Sequence, residues 1–418
     1  EDFTFSAACP AALSQWVRLA RKGPYTRESE LLMNVREGIA YIGVNDHDID
    51  LFEGQYDVRE NGMSYNSYVV LGEKIAVMDT VDGRFRDEWL GNLDAVLDGR
   101  TPDYLVVHHM EPDHSANIAA FMERYPQAQV VASAPAFKMM QAYFGTDYAD
   151  RRVVVKQGAT LDLGGHELTF IGATNVHWPE VLFSYDSATK VLFSADGFGK
   201  FGALDYEDPE GWACEARRYY FGIVGKFGKN VQAVLKKAAD LDIQAICPLH
   251  GPILKENLGY YLDLYNTWSS YEPEDRGVTI AYASVYGNTK HAALELAAAL
   301  EERGQKVSVF DLARDDMAEA VEDAFRYDRL VLASITYNGG IFPFMSTFIH
   351  TLAEHAYQNR EVAFIEAGTW GPMAAKVMRS QVEEMKDIRL AEQVVTVRGA
   401  VDDDARAQIA VLADELAK

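Results

Sequence analysis

The strongest constraint on the fold is a regular alternation of strands and helices that begins after Gly277. Five short apolar runs, from Val278–Ala283 to Val394–Val397, are each followed by a stretch with the apolar spacing of a helix. Such intervening segments are long enough to cross over between parallel strands. We therefore predict a doubly wound parallel sheet over residues 277–418, with its ligands at the carboxyl ends of the strands.

The preceding part of the chain, residues 31–270, contains many short apolar runs separated by turns. With the helical stretches Arg86–Leu97 and Asn117–Tyr125, this pattern predicts an α/β domain of layered sheets with helices outside. Residues 1–30 are predicted to be an N-terminal extension, and the short charged stretch 271–276 to be a linker. The predicted strands are Gly38–Val44, Tyr65–Leu71, Lys74–Asp79, Tyr104–Val107, Gln129–Ala132, Leu168–Gly172, Leu182–Asp186 and Lys190–Ser194.

Potential metal donors gather at the ends of predicted strands in this first domain. Four stand within six residues directly after Tyr104–Val107, and three more follow three later strands. Strand ends bring distant sequence positions to one place, so the donors can converge. The seven residues are His109, Glu111, Asp113, His114, His177, Asp196 and His250.

Each later donor, taken alone, has an ordinary structural explanation. A single histidine such as His177 is more often hydrogen-bonded than metal-bound, Asp196 could cap the turn that follows it, and His250 could belong to a simple turn. The cluster after Tyr104–Val107 favours one shared site over three separate explanations. A single metal needs about four ligands, so seven donors favour two ions. Nitrogen and hard oxygen donors without sulfur favour iron or manganese.

The donor pattern resembles the metallo-β-lactamase fold. Zinc hydrolases of that fold carry His-x-His-x-Asp-His, whereas this chain has Glu111 at the second position. Together with His177-Trp178-Pro179 and Asp196-Gly197-Phe198-Gly199, this difference resembles the flavodiiron proteins. The resemblance implies a non-haem diiron centre in which Asp196 bridges, with His109, Glu111 and His177 on one iron. Asp113, His114 and His250 would then bind the other.

Two further positions are informative in the light of this resemblance. The family usually has His-Trp-Pro-Asp, and this chain has Glu180 at the last position, which affects a contact to a ligand and not a ligand itself. Tyr219 is similar to the family's tyrosine near the diiron pocket, although a core aromatic residue on a helix is an equally good explanation.

Three loops at the predicted carboxyl edge of the second domain are rich in hydroxyl and glycine residues. The first opens a helix and offers N–H groups to a phosphate, and its lack of lysine favours a monoester, although it could also be an ordinary helix cap. Together the loops resemble the flavodoxin FMN site, with Tyr337 and Trp370 as ring neighbours. The implied cofactor-binding residues are Ser284, Val285, Tyr286, Gly287, Asn288, Thr289, Ser334, Thr336, Tyr337, Asn338, Gly339, Gly340, Gly368, Thr369, Trp370 and Gly371.

The order of the two domains is itself specific to the flavodiiron family, and we expect the minimal two-domain form. The resemblance implies an oxidoreductase that reduces dioxygen to water, nitric oxide to nitrous oxide, or both, with FMN and two irons per chain. It also implies a head-to-tail homodimer or a dimer of dimers, and an electron donor such as rubredoxin or a reduced deazaflavin. The alternative is a binuclear zinc hydrolase with a redox-sensing flavodoxin domain, against which Glu111 argues.

Charge and composition exclude several partners. The chain has 39 basic and 63 acidic residues, a net charge of −24, which disfavours nucleic acid and anionic membranes. No stretch reaches the roughly 18 apolar residues that a membrane span needs, and the first thirty residues do not resemble a secretory signal. The three cysteines include no C-x-x-C pair, so a thiolate metal cage is excluded. A cytoplasmic location is expected.

Overall fold

The computed structural model describes residues 34–418, so the extension predicted over residues 1–30 lies outside the described residues. The described part of the chain forms two compact units. The first comprises residues 34–220 and 227–266, and the second comprises residues 221–226 and 267–418. Within residues 34–418, no helix is both long enough and apolar enough to cross a membrane.

The first unit contains two sheets and two small hairpins. Its strands are β1 (Asn34–Arg36), β2 (Ile39–Tyr41), β3 (Val44–Asp46), β4 (Leu51–Phe52), β5 (Tyr56–Asp57), β6 (Met63–Tyr65), β7 (Tyr68–Leu71), β8 (Ile75–Met78), β9 (Tyr104–Val106), β10 (Gln129–Ser133), β11 (Arg152–Val155), β12 (Thr160–Asp162), β13 (Glu167–Gly172), β14 (Leu182–Asp186), β15 (Val191–Phe193) and β16 (Ala245–Cys247). Its α-helices are α1 (Arg86–Leu97), α2 (Pro112–Ser115), α3 (Ile118–Arg124), α4 (Ala134–Phe144), α5 (Trp212–Tyr219) and α6 (Gly228–Ala238).

The two sheets of the first unit face each other across one core. Their orders are β1-β2-β7-β8-β9-β10-β11 and β12-β13-β14-β15-β16, while β3 pairs with β6 and β4 with β5. Val70 and Val106 of the first sheet pack in the same cluster as Phe170 and Phe193 of the second. Helix α4 lies against β10 and α6 against β13, so each sheet carries a helix. The predicted metallo-β-lactamase-like αββα sandwich is confirmed.

Two predicted strands of this unit are each divided. Gly38–Val44 is split into β2 and β3, which belong to different sheets. The break lies at Ile42 and Gly43; a Cβ atom on Gly43 would lie 2.5 Å from the backbone oxygen of Tyr65, so glycine allows this close approach. Tyr65–Leu71 is likewise split into β6 and β7, because Asn66 between them turns its hydrogen bonds toward residues 248–251.

The second unit is the doubly wound sheet that the sequence predicts. Its strands are β17 (Asp275–Ala283), β18 (Val307–Asp311), β19 (Tyr327–Tyr337), β20 (Gly340–Ile341), β21 (Arg360–Ala367) and β22 (Ile388–Val397). Helix α7 (Leu258–Ser269) precedes them; its residues 258–266 belong to the first unit and its last three residues to the second. Earlier in the chain, a π-helical turn Tyr220–Val224 and a 3-10 turn Gly225–Phe227 contain the short stretch 221–226 of the second unit. The other helices are α8 (Asn288–Glu301), α9 (Met317–Arg326), α10 (Pro343–Glu354), α11 (Ala374–Val382) and α12 (Asp403–Leu416).

The strand order of this sheet is β18-β17-β19-β21-β22, and all four of these pairings are parallel. This is the flavodoxin-like order. The central strands are buried along nearly their whole length, because helices cover both faces of a parallel sheet. Strand β17 begins at Asp275, so the last two residues of the predicted linker, Asp275 and Arg276, belong to a strand.

Candidate functional site

The first four donors stand where β9 ends. His109 and Glu111 lie in the loop after the strand, and Asp113 and His114 lie on the short helix α2. Pro112 begins the helical turn of α2, so only the first two of the four donors lie in a loop. The helical turn brings the side chains of Asp113 and His114 to the same group of donors as His250.

The remaining three donors reach the same place from other strand ends. His177 precedes β14, Asp196 follows β15, and His250 follows β16. Asp196 lies between Ala195 (φ 45°) and Phe198 (φ 67°), two non-glycine residues in the left-handed region. Such backbone strain persists only where the surroundings enforce it, and it is common at functional sites. All seven predicted donors are brought together.

One half of the donor set comprises His109, Glu111, His177 and one oxygen of Asp196. Asp196 Oδ2 lies 3.3 Å from His109 Nε2 and 3.1 Å from His177 Nε2. Glu111 Oε2 lies 3.2 Å and 3.0 Å from the same two nitrogens. Four donor atoms therefore surround a single point.

The other half comprises Asp113, His114, His250 and the second oxygen of Asp196. Asp113 Oδ2 lies 3.3 Å from His114 Nε2 and 3.2 Å from His250 Nε2. Asp196 Oδ1 lies 3.3 Å from His114 Nε2 and 4.0 Å from His250 Nε2. The Asp196 carboxylate thus turns one oxygen to each half.

The outer ring nitrogens explain why the inner ones are available as ligands. His250 Nδ1 donates to the backbone oxygen of Ser64 at 2.7 Å, and His109 Nδ1 donates to Glu180 Oε1 at 2.9 Å. A ring nitrogen that donates outward carries the proton, so a neutral imidazole turns the lone pair of Nε2 inward. Glu180 also accepts from the backbone N–H of Met110 at 2.8 Å. Although the family usually has aspartate at this position, the glutamate of this chain still contacts the donor His109.

Two of the inner carboxylates have no hydrogen-bonding partners in the described part of the chain. Both carboxylate oxygens of Asp113 and of Asp196 are buried and have no hydrogen-bonding partner within residues 34–418. Buried carboxylates and imidazole lone pairs that face one another at about 3 Å would repel unless a cation or protons lie between them. The residues present fit two divalent metal ions that share Asp196.

The shifts in pKa show how the histidines and carboxylates of the site share protons when no metal is bound. Burial works to lower the pKa of His177, but the carboxylates of Asp196 and Glu111, 3.1 Å and 3.0 Å from its Nε2, outweigh it and raise this pKa to about 9. Burial works to raise the pKa of Asp196, yet the charge of His109 holds this pKa well below its usual range. Without metal, the histidines therefore take up protons and the carboxylate stays ionised.

A second buried network, which the sequence analysis missed, supports the loop that carries the ligands. Asp79 Oδ2 lies 2.5 Å from His108 Nδ1, and Asp79 Oδ1 accepts from the backbone N–H of His108 at 2.7 Å. His108 Nε2 lies 2.8 Å from Ser184 Oγ. All three residues are fully buried, so this arrangement positions the neighbouring His109 and cannot meet a substrate. In the sequence, the sign of this network is that His108 stands directly beside the donor His109.

Aromatic rings pack around His250. Phe52, Tyr65 and Tyr219 lie with ring centroids 5.3 Å, 5.8 Å and 5.6 Å from its imidazole. Tyr219 is fully buried, and its hydroxyl has no partner in the part of the chain that the structure describes. Burial raises the pKa of Tyr219 well above its usual value, so its hydroxyl remains a proton-bearing donor beside the donor cluster.

The second candidate site is a cavity of about 450 Å³ at the carboxyl edge of the flavodoxin-like sheet. The predicted residues that line it are Ser284, Val285, Tyr286, Asn288, Thr289, Thr336, Asn338, Gly339, Gly368, Thr369, Trp370 and Gly371. Ile335, Ala367 and Gly399 also line it and escaped prediction because apolar and glycine residues carry no chemical signature. No side chain that lines the cavity carries a charge, which fits a phosphate monoester bound by N–H groups and hydroxyls.

Four predicted cofactor-binding residues do not line this cavity: Gly287, Ser334, Tyr337 and Gly340. Gly287 forms the turn before α8 with φ 94°, and its N–H donates to Ser284 Oγ at 3.1 Å. Ser334 is buried and accepts from the backbone N–H of Phe342 at 3.3 Å. The ring of Tyr337 packs edge-on against Phe342, with centroids 5.2 Å apart.

Comparisons with known proteins agree with this division. The family profile described as "ODP family beta lactamase" matches residues 63–251, and a profile described as "Flavodoxin domain" matches residues 279–405. A nitric oxide reductase of Moorella thermoacetica is 29% identical over 372 residues, covering 87% of this chain and 92% of that protein. The putative diflavin flavoprotein A 2 of Synechocystis is 34% identical over 279 residues, or 66% of this chain. The matched region spans 48% of that relative, about half of its length.

Solved structures match most of the described chain. The rubredoxin oxygen:oxidoreductase of Desulfovibrio gigas superposes with a TM-score of 0.86 at 25% identity, covering 92% of this chain and 98% of that one. The flavodiiron protein of Giardia intestinalis has the same fold, with a TM-score of 0.87 at 22% identity over 95% of this chain and 97% of that one. The chain belongs to the flavodiiron family.

Membership of the flavodiiron family accounts for the two sites that the geometry presents. The resemblance expected from the sequence is confirmed, and so are the two fold classes. In this chain Glu111 is one of a group of four donors with His109, His177 and Asp196.

Proposed function

We propose that this chain is an oxidoreductase that reduces dioxygen to water, nitric oxide to nitrous oxide, or both, at a non-haem diiron centre supplied with electrons by FMN. The observation that carries the proposal is the convergence of seven donors, five of them buried, in which the carboxylate oxygens of Asp113 and Asp196 have no hydrogen-bonding partner within residues 34–418. The names of the Moorella and Desulfovibrio proteins support these two substrates. A role in scavenging these gases in an anaerobe or microaerobe follows from the same proposal.

Each residue of the donor set has a proposed role. His109, Glu111 and His177 bind one iron, Asp113, His114 and His250 bind the other, and Asp196 bridges the two. When bound, the irons would offer open coordination positions to a small diatomic molecule, and FMN would supply the electrons. The protein's own contribution is to orient the imidazoles through Glu180 and Ser64.

Tyr219 is the proposed catalytic residue beyond the ligands. Its hydroxyl keeps its proton because burial raises its pKa, and the ring lies beside His250. A buried donor without a partner can hydrogen-bond to a small ligand that enters the donor cluster. The rings of Phe52 and Tyr65 next to it exclude bulk water from that side of His250.

The cavity at the carboxyl edge of the second sheet is the proposed FMN site. Ser284, Asn288 and Thr289 stand at the start of α8, where N–H groups and the helix dipole favour a phosphate. Trp370 and Tyr286, which are 86% and 91% exposed, offer aromatic faces to a planar ring. They would also be covered in the head-to-tail homodimer, or dimer of dimers, that we propose.

Metal analysis and an absorption spectrum of the purified full chain test the proposal. Two irons and one FMN per chain are expected, together with consumption of dioxygen or nitric oxide when a rubredoxin or a reduced deazaflavin supplies electrons. The alternative, a zinc hydrolase with a redox-sensing domain, predicts two zinc ions and esterase activity. That result would overturn the proposal.

A further inference from the structure

Helix α11 begins without a cap of its own. The first N–H groups of a helix have no partner inside the helix, and the residue before it often supplies one. Met373 stands at that position and provides no side-chain hydrogen bond. The helix still needs acceptors for its first donors, and two neighbouring strands provide them.

Thr336, near the end of β19, accepts two of these N–H groups. Its Oγ1 accepts from Met373 at 2.8 Å and from Ala374 at 3.1 Å. Glu366 of β21 accepts the third with Oε2, from Ala375 at 3.0 Å. Its other oxygen, Oε1, accepts from the Thr396 hydroxyl on β22 at 3.1 Å. Three strands therefore hold the start of one helix.

The same hydroxyl also closes the loop that precedes α11. A Cβ atom on Gly368 would lie 3.4 Å from Thr336 Oγ1 and 3.3 Å from the Cα of Pro372, so this loop folds tightly over Thr336. The loop includes Trp370 and forms one wall of the proposed flavin cavity. Its far end is fixed where α11 begins, at the N–H groups that Thr336 and Glu366 accept.

A hydroxyl group has two acceptor lone pairs and one hydrogen. Thr336 uses its oxygen for two backbone N–H groups and therefore has only its hydrogen left for a molecule in the cavity. Glu366 does not line the cavity, and both of its carboxylate oxygens are engaged. Neither side chain is free to act mainly as a ligand.

We propose that Thr336 and Glu366 are positioning residues that cap α11 from neighbouring strands and thereby fix the loop 368–371 in the position that binds flavin. The inference rests on the proposed FMN site and deepens it. It assigns part of the flavin affinity to hydrogen bonds that do not touch the cofactor.

The test uses the full chain freed of flavin and titrated with FMN, followed by the quenching of flavin fluorescence and by visible circular dichroism. Thr336→Val keeps the shape of the side chain and removes the acceptor, whereas Thr336→Ser keeps the acceptor. Glu366→Ala removes the second cap without altering the cavity wall. Thr347→Val, on the exposed face of α10, and Glu361→Ala, earlier on β21, are the matched controls.

We expect Thr336→Val and Glu366→Ala each to raise the FMN dissociation constant about tenfold and to change the circular dichroism of the bound flavin. Thr336→Ser and both controls should stay within about twofold of the unsubstituted chain. Equal affinity in Thr336→Val and the unsubstituted chain would overturn the inference, as would a serine variant as weak as the valine variant. If the unsubstituted chain binds no FMN, the proposed function fails first, and the inference fails with it.

Hydrogen exchange of the unsubstituted chain provides a measurement that does not depend on the folding of a variant. The amides of Met373, Ala374 and Ala375 should be protected even without FMN, because Thr336 and Glu366 accept from them. Rapid exchange at all three amides would contradict the capping arrangement.

Discussion

The two candidate sites of this molecule both lie at strand ends, but one consists of ionisable groups and the other of neutral groups. The candidate metal centre consists of mostly buried ionisable side chains, which contribute their donor atoms to two groups linked by Asp196. The flavin cavity consists of neutral side chains and backbone, with Tyr286 and Trp370 largely exposed. A site of the first kind depends on each residue, whereas a site of the second kind spreads its affinity over many weak contacts.

This contrast predicts that single substitutions have large effects at the metal centre and graded effects at the cavity. The strongest test is Asp196→Asn, which preserves shape and removes the charge that both halves share. We expect metal affinity to fall by more than the roughly 10- to 100-fold typical of a residue that only supports a ligand. Metal analysis after dialysis would measure this, and FMN content should not change.

The matched control for that substitution is Asp240→Asn, an exposed aspartate in the turn after α6. It should leave both metal and flavin unchanged. Loss of FMN together with metal in Asp196→Asn would show that the two sites are not independent, which would break the comparison.

A smaller effect is expected at Glu180, which touches His109 and Met110 but faces away from the donor atoms. Glu180→Gln weakens the acceptor for His109 Nδ1 and so the orientation of this imidazole. Metal affinity should fall about 10- to 100-fold. Glu180→Asp, which restores the residue usual in the family, should retain more affinity than the glutamine. If the aspartate variant binds metal more weakly than the glutamine variant, the length of the side chain at position 180 matters more than its charge.

The two sites should also respond differently to pH. Below pH 9 the metal-free His177 carries a proton, since its pKa is raised to about 9, and a metal ion must displace this proton. Apparent metal affinity should therefore rise from pH 7 to pH 9, by up to about tenfold per pH unit for each displaced proton, and then level off. Calorimetric titration of the metal-free chain in buffers of different ionisation enthalpy would count the protons. Absence of proton release would contradict the arrangement.

The smallest effects are expected at the cavity rim. Trp370→Ala should weaken FMN binding about tenfold while changing the free energy of unfolding by less than about 0.5 kcal/mol, because the side chain is 86% exposed. Tyr337→Ala should change FMN affinity less than about threefold, since this ring packs against Phe342 and does not line the cavity. A stronger effect at Tyr337 than at Trp370, measured by fluorescence titration, would show that the ring moves to the flavin on binding.

The same contrast explains how much of the molecule could be predicted from sequence. All seven donors were identified because imidazoles and carboxylates at strand ends are chemically conspicuous. The cavity was predicted less completely. Tyr337 was assigned to the ring site because it is aromatic, but packing against Phe342 decides where it points. Ile335 and Gly399 carry no signal at all and were missed.

The predicted strand boundaries are wrong where tertiary contacts override the local sequence pattern. The predicted strand Gly38–Val44 is interrupted at Ile42 and Gly43, because β2 and β3 on either side pair in different sheets. The last strand, β22, begins at Ile388, six residues before the predicted Val394. It lies at the edge of its sheet and pairs only with β21, so its residues need not all be apolar. Its first half includes exposed polar residues such as Arg389 and Glu392, so it lacks the continuous apolar run of a central strand.

The break at Asn66 has a consequence for how the metal centre is assembled. The Asn66 side chain donates to the backbone oxygens of Pro248 and Gly251, residues 182 and 185 positions later in the chain. His250 is thus fixed by a contact that cannot form until almost the whole first unit has left the ribosome. During synthesis the early cluster His109 to His114 exists long before its partners, and a metal ion acquired then would meet only half of a site. If the chain binds two ions as proposed, the second half of the site would therefore be completed only when the contacts of Asn66 with residues 248–251 form.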